Sequence, residues 1–103
     1  MVPVTHLTIT AVDGGWVLAG ELDSSSASAL ETALSQLNTG ETTVDVAEVS
    51  FMDSSGLRVL VEASVRATNE GGSLLLLHPQ RAIQRLVSLS GLGGHLFFSD
   101  EPS

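Results

Sequence analysis

The stretch FMDSSGL, residues 51–57, sets two hydroxyls between a carboxylate and a glycine. Several kinds of chemistry use such a group. Ser54 or Ser55 could be a hydrolase nucleophile, which needs an imidazole base and oxyanion donors around it. The G-x-S-x-G spacing of a nucleophile elbow is absent. The three possible bases, His6, His78 and His95, each have a plain surface or strand-end explanation. The turn could cradle a bound phosphate at a helix N-terminus. A P-loop needs a lysine, however, and all four cationic residues here are arginines, at 58, 66, 81 and 85. No metal is expected, because the histidines lack ligand spacing and the acids are scattered. Two readings of the turn remain. Asp53 is a strong helix N-cap, and Met52 with Leu57 would form a hydrophobic staple around it. A first-turn serine is also exposed enough to receive a phosphate, whose charge the helix dipole and free N–H groups would tolerate. The cap alone leaves Gly56 unexplained, since glycine in a helix costs about 1 kcal/mol relative to alanine. Without a side chain, Gly56 would let another backbone or a phosphate come close.

Such a turn needs a strand ending, and a helix starting, near residue 53. Leu7 and Ile9 alternate with polar neighbours, DGG (13–15) turns the chain, and Trp16 to Leu18 resume an extended pattern, which predicts a hairpin. Ala27, Leu30, Leu34 and Leu37 have helical spacing, with a serine before them as cap and Gly40 as stop. Val44, Val46 and Val49 predict a strand bounded by Thr42 and Ser50. A second helix is expected from Ser54 to about Glu70, with Leu57, Leu60, Val61, Val65 and Thr68 inward. Arg58, Glu62, Arg66 and Glu70 recur every four residues and predict a solvated face of i,i+4 pairs. SLLLLH (73–78) reads as a central strand apolar on both faces. Pro79 opens a third helix with Ile83, Leu86 and Val87 inward, GLGG (91–94) ends it, and Leu96 to Phe98 form a last short strand. The fold class is therefore α/β, one domain over residues 4–99 with a frayed tail at 100–103. The order is β-β-α-β-α-β-α-β, a mixed, mostly parallel sheet with an antiparallel edge.

Bulk composition narrows the partners. The 103 residues are 43% hydrophobic, which suits one folded domain. There is no cysteine, so disulfides and thiolate zinc sites are excluded, and a reducing compartment is suited. The net charge of −8 offers no basic stripe to nucleic acid, and favours solubility and a basic protein partner. The opening MVPVTHLTIT has neither a cationic n-region nor an apolar h-region, and the longest apolar run is Leu74 to Leu77. A soluble cytoplasmic domain is expected.

FMDSSGLRVL (51–60) resembles the signature of the bacterial anti-sigma factor antagonists of the STAS-domain family, and GELD (20–23), about thirty residues upstream, resembles their second motif. VDVAEVSF (44–51) and LLLLHPQRAIQRLVSLSGL (74–92) fit as well, so the likeness spans roughly residues 4–99. The family implies a STAS-type fold, with helices packed on one side of the sheet, and a partner-switching role in transcription regulation. The unmodified protein binds an anti-sigma factor, itself a serine kinase of the histidine-kinase-like ATPase fold, and so frees the sigma factor. Phosphorylation then releases the antagonist, and a metal-dependent serine phosphatase restores it. The resemblance places the acceptor at Ser54 and gives Asp23 contact with the kinase and support of phosphotransfer. It extends the docking surface to Ser24, Asp53, Ser55, Gly56, Leu57 and Arg58. It implies no catalytic residue, cofactor, nucleic acid or membrane partner. The plainer roles are a helix-capping acid beside Ser24 to Ser26 for Asp23, and a first-turn hydroxyl for Ser55. Arg58 departs from the motif, where a small or apolar residue is more usual; it could bias docking electrostatically or pair with a phosphate. A STAS subunit of a lipid-transport complex or a stress-signalling scaffold is the alternative. Scaffold members more often present a threonine acceptor, and transporter-attached members come with membrane spans.

Overall fold

The computed structural model describes residues 7–35, 40–91 and 96–98. Its elements are β1 (Leu7–Val12), β2 (Gly15–Leu22), α1 (Ala27–Leu34), β3 (Glu41–Met52), α2 (Ser54–Asn69), β4 (Ser73–Leu77), α3 (Arg81–Ser90) and β5 (Phe97–Phe98). The strands form one sheet in chain order, β1 to β5. The β1–β2 pair is antiparallel and the other three are parallel. A parallel neighbour needs a crossover connection, and each of the three helices supplies one. The element order is the one expected from the sequence. The anticipated tail at 100–103, Leu37, His6, His95 and Leu92 to Gly94 lie outside the described residues.

The hairpin explains its two glycines. Val12 pairs with Gly15, so Asp13 and Gly14 make a two-residue loop, and Gly14 has φ +79°. A two-residue turn that is left-handed at its second central position favours glycine there. Gly15 is needed for space, because a Cβ there would run into the carbonyl of Thr43 on β3.

Burial alternates along the strands. Val44 and Val46 are fully buried, while Thr43, Asp45 and Ala47 between them keep some exposure. Leu74 and Leu76 are buried, but Leu75 and Leu77 are only partly so. The expectation that β4 is apolar on both faces because both are covered is therefore corrected. The helices cover one face, and the leucines of the opposite parity stay half-exposed. One hydrophobic cluster joins this face to the helices through Leu30 and Leu34 of α1, Leu57 and Leu60 of α2, and Ile83 and Val87 of α3. Each such side chain contributes about 1.5–3 kcal/mol by leaving water.

Four boundaries or faces differ from the sequence reading. β3 is longer than Val44 to Val49, because its ladder with β2 continues through Glu21–Phe51 and Leu22–Met52. Register shifts between Val17 and Ala19 and between Gly20 and Glu21 accommodate the extra residues. Ser50 does not end the strand; its hydroxyl donates to the Gly20 carbonyl at 3.3 Å. On α2 the inner residues are Leu57, Leu60, Ala63, Ser64 and Ala67, whereas Val65 and Thr68 face outward. Reading only the large apolar residues rotated that face, since small buried residues carry little hydropathy signal. α1 ends at Leu34, well before Gly40, and the Ser35 N–H donates back to the Thr32 carbonyl. Arg66, expected on a solvated face, is half-buried and donates to the Leu34 carbonyl at 2.9 Å, satisfying a helix-end acceptor of α1.

Candidate functional site

β2 and β3 run parallel and finish together, at the Leu22–Met52 pair. The Asp53 N–H then donates to the Leu22 carbonyl at 3.1 Å. This bond holds the turn after β2, carrying Asp23 to Ser26, against the turn after β3, carrying Asp53 to Gly56. Two helices therefore begin side by side at the C-terminal edge of the sheet.

Asp53 is the N-cap of α2 in extended backbone conformation. Its Oδ1 accepts from the N–H of Ser55 at 2.9 Å and of Gly56 at 3.1 Å, which satisfies two of the donors that a helix start leaves open. Ser54 follows as the first helical residue. It is exposed, Ser55 is half-buried, and neither hydroxyl makes a hydrogen bond among the described residues. Gly56 is buried, and a Cβ there would collide with the Leu22 side chain and lie 2.7 Å from its carbonyl oxygen. The close approach anticipated at this glycine is thus made by β2. Leu57 is 1% exposed and anchors the turn in the core. Gly56 and Leu57, expected on a docking surface, instead support it from below.

The GELD turn is more tightly wired than its sequence suggests. The Asp23 Oδ1 accepts from the Ser25 N–H at 3.0 Å, the Ser25 hydroxyl at 2.7 Å and the Ser26 N–H at 3.2 Å. The hydrogen bond from the Ser25 hydroxyl leads the effects that hold its pKa below the ordinary carboxylate range. Ser26 occupies the N-cap position of α1 but makes no capping bond. It is fully buried; its hydroxyl donates to the Glu21 carbonyl at 2.9 Å and accepts from the Asp23 N–H at 3.0 Å. The expected serine cap is therefore a brace across the turn, and the turn's N–H groups go to Asp23.

A groove runs between the two helix starts. Ser24, Ser28 and Glu31 line it from α1 and its turn, and Ser54, Ser55, Arg58 and Glu62 line it from α2. Ser24, Ser54, Ser55 and Arg58 of the expected site meet here. Asp23 precedes Ser24 in the same turn but is not among the residues that line the groove. Ser28 and Glu31 were not singled out from the sequence, and Glu62 was read only as part of a solvated face, although Ser24, Ser28 and Glu31 have the i, i+4, i+7 spacing of one helical face. Phe51 was also missed as a surface residue; it opens the motif, yet is 49% exposed while Met52 beside it is buried.

The hydrolase reading fails on geometry for the described imidazole. Leu77 pairs with Asp45, so His78 stands level with Val46, seven residues before Asp53 along β3. At about 3.3 Å per residue this is roughly 20 Å from the serines. Among the described residues no helix is long and apolar enough to cross a membrane.

Comparison with known proteins agrees with the motifs. The family model described as Mlab, STAS domain matches residues 6–98. An anti-sigma factor antagonist from Mycobacterium paratuberculosis is 25% identical, with a TM-score of 0.71 over 92% of this chain and 85% of that one. The anti-sigma factor antagonist SpoIIAA in its unphosphorylated form is 25% identical, with a TM-score of 0.66 over 92% of this chain and 89% of that one. The Bacillus cell fate determinant SpoIIAA in its phosphorylated form is 23% identical, with a TM-score of 0.66 over 92% of each chain. With a family match across almost its whole length, and with the two motif turns locked together at one edge of the sheet, the chain belongs to the STAS-domain family.

Proposed function

We propose that this chain is an anti-sigma factor antagonist switched by phosphorylation of Ser54. The observation that carries the proposal is the placement of Ser54. Its hydroxyl is exposed, makes no hydrogen bond among the described residues, and stands at the first position of α2 on a groove shared with α1. The structures of SpoIIAA, described in both phosphorylated and unphosphorylated forms, support a family in which phosphate acts as the signal.

In this reading the unmodified chain binds an anti-sigma factor that is a serine kinase of the histidine-kinase-like ATPase fold, and the sigma factor is released. The chain is not an enzyme; it acts by binding, in the cytoplasm, without nucleic acid or membrane as partner. The exposed face for that partner comprises Ser24, Ser54, Ser55 and Arg58, with Asp23 and Asp53 holding their turns. Phosphotransfer makes one bond and breaks one. The Ser54 Oγ attacks the γ-phosphorus of ATP, the bond to the β,γ-bridging oxygen breaks, ADP leaves and the hydroxyl proton is lost. A metal-dependent serine phosphatase reverses the state with water, giving serine and inorganic phosphate. The modification adds a charge of about −1.5 to −2. Stripping its water in an interface costs several kcal/mol, so the kinase lets go.

A capture experiment with wild-type chain and Ser54→Asp, followed by mass spectrometry, tests this. Wild type should retain the serine kinase and Ser54→Asp should retain less of it at an unchanged melting temperature. After incubation with kinase and ATP the phosphate should lie on Ser54. Phosphate on Ser55, or undiminished in Ser54→Ala, overturns the assignment. The alternative, a STAS subunit of a lipid-transport complex or scaffold, is less favoured, since the three similar structures above are all antagonists.

A further inference from the structure

Resting on that reading, we infer that Arg58 is the internal counter-ion of the Ser54 phosphate, so that the modified state is held by this chain itself. The helix start alone is a poor receptor. Asp53 already accepts the N–H of Ser55 and Gly56, and the Leu57 N–H donates to the Asp53 carbonyl at 3.0 Å. Of the backbone N–H groups at the start of α2, only that of Ser54 is left to a phosphate. The carboxylates around it are unfavourable to a dianion: Asp53 in the cap, Asp23 in the adjoining turn, Glu31 from α1 and Glu62 from α2.

Among the described residues Arg58 is the sole cation lining the groove. It is exposed, and its guanidinium makes no hydrogen bond or ion pair among the described residues, so nothing there must be broken to recruit it. It lies four residues after Ser54, one turn along the same helical face, where Cβ atoms are about 5–6 Å apart. Both side chains line the same groove, which agrees with that spacing. A guanidinium fork suits two phosphate oxygens at once. Glu62, four residues further on, competes for Arg58 with one negative charge; the phosphate brings about two. On phosphorylation Arg58 therefore pairs with residue 54 rather than with Glu62.

The test uses the full chain with phosphoserine encoded at position 54, so that it needs no kinase. The second pKa of the phosphate is followed by phosphorus NMR in wild type, Arg58→Ala and Arg58→Lys. A nearby cation favours the dianion and lowers this pKa. Removing Arg58 should raise it by about 0.2–0.4 of a unit. Arg58→Lys should recover part of the difference, since charge remains without the fork. Added salt should shrink the difference between wild type and Arg58→Ala. The same second pKa in wild type and Arg58→Ala overturns the inference. The acceptor assignment fails separately: a cognate kinase that leaves Ser54 unmodified refutes the function, while the encoded phosphoserine still reports on Arg58.

Discussion

Replacing Gly56 by alanine should destabilise the domain, although helix propensity alone argues the reverse. In an unencumbered helix the change gains about 1 kcal/mol. Here the new Cβ meets the Leu22 side chain and lies 2.7 Å from the Leu22 carbonyl oxygen. Leu22 is fully buried, so its side chain has no free space to retreat into. Overpacking of this kind costs typically 1–3 kcal/mol, and more when backbone must move. Moving the Leu22 carbonyl also strains the hydrogen bond from Asp53 that joins the two turns, worth about 1 kcal/mol. The sum is a net loss of about 1–3 kcal/mol. For a domain of this size that lowers the melting temperature by roughly 5–15 °C. Thermal and urea unfolding of Gly56→Ala measure it, with Gly40→Ala as control because a Cβ at Gly40 meets nothing within 4 Å. A Gly56→Ala protein that melts at or above wild type would refute the packing argument, and with it the view that β2 and α2 are locked together at this turn.

Ser26→Ala should lower stability by about 1–3 kcal/mol, because it removes two part-buried hydrogen bonds, one to the Glu21 carbonyl and one from the Asp23 N–H; Ser24→Ala, on the exposed side of the turn, should melt close to wild type in the same scan. Ser64→Ala should be neutral or raise the melting temperature by a few degrees, since the Ser64 hydroxyl is buried with no partner among the described residues. Asp23→Asn should fold normally and be phosphorylated more slowly, as shape is kept while charge is lost; equal kinase affinity and initial rate would leave Asp23 a turn-building acid. The depressed pKa of Asp23 also sets a sign. Its stabilisation is present above the unfolded-state pKa, near 4, and is lost as pH falls through the lower folded value. Acid unfolding curves of Asp23→Asn should therefore be flatter below about pH 4 than those of wild type.

Sequence alone determined the element order, the parallel core of the sheet and the strand-to-helix turn at Asp53. These follow from local chemistry: a capping carboxylate, glycine-bounded segments, and apolar residues at strand or helix spacing. Motif resemblance went further and paired the GELD and DSSG turns. Tertiary structure decided what lies between and beneath those turns. Gly56 is glycine because Leu22, thirty-four residues earlier in the chain, passes over it. Ser26 looks like one of three interchangeable serines, but it alone is buried and braces the turn. The inner face of α2 includes Ala63, Ser64 and Ala67, whose small size hides them from a hydropathy pattern. The groove that gathers Ser54, Arg58, Glu31 and Glu62 exists because β2 and β3 end level and launch two helices side by side. Spacing along one helix is written in the chain; the distance between two helices is set by what packs between them.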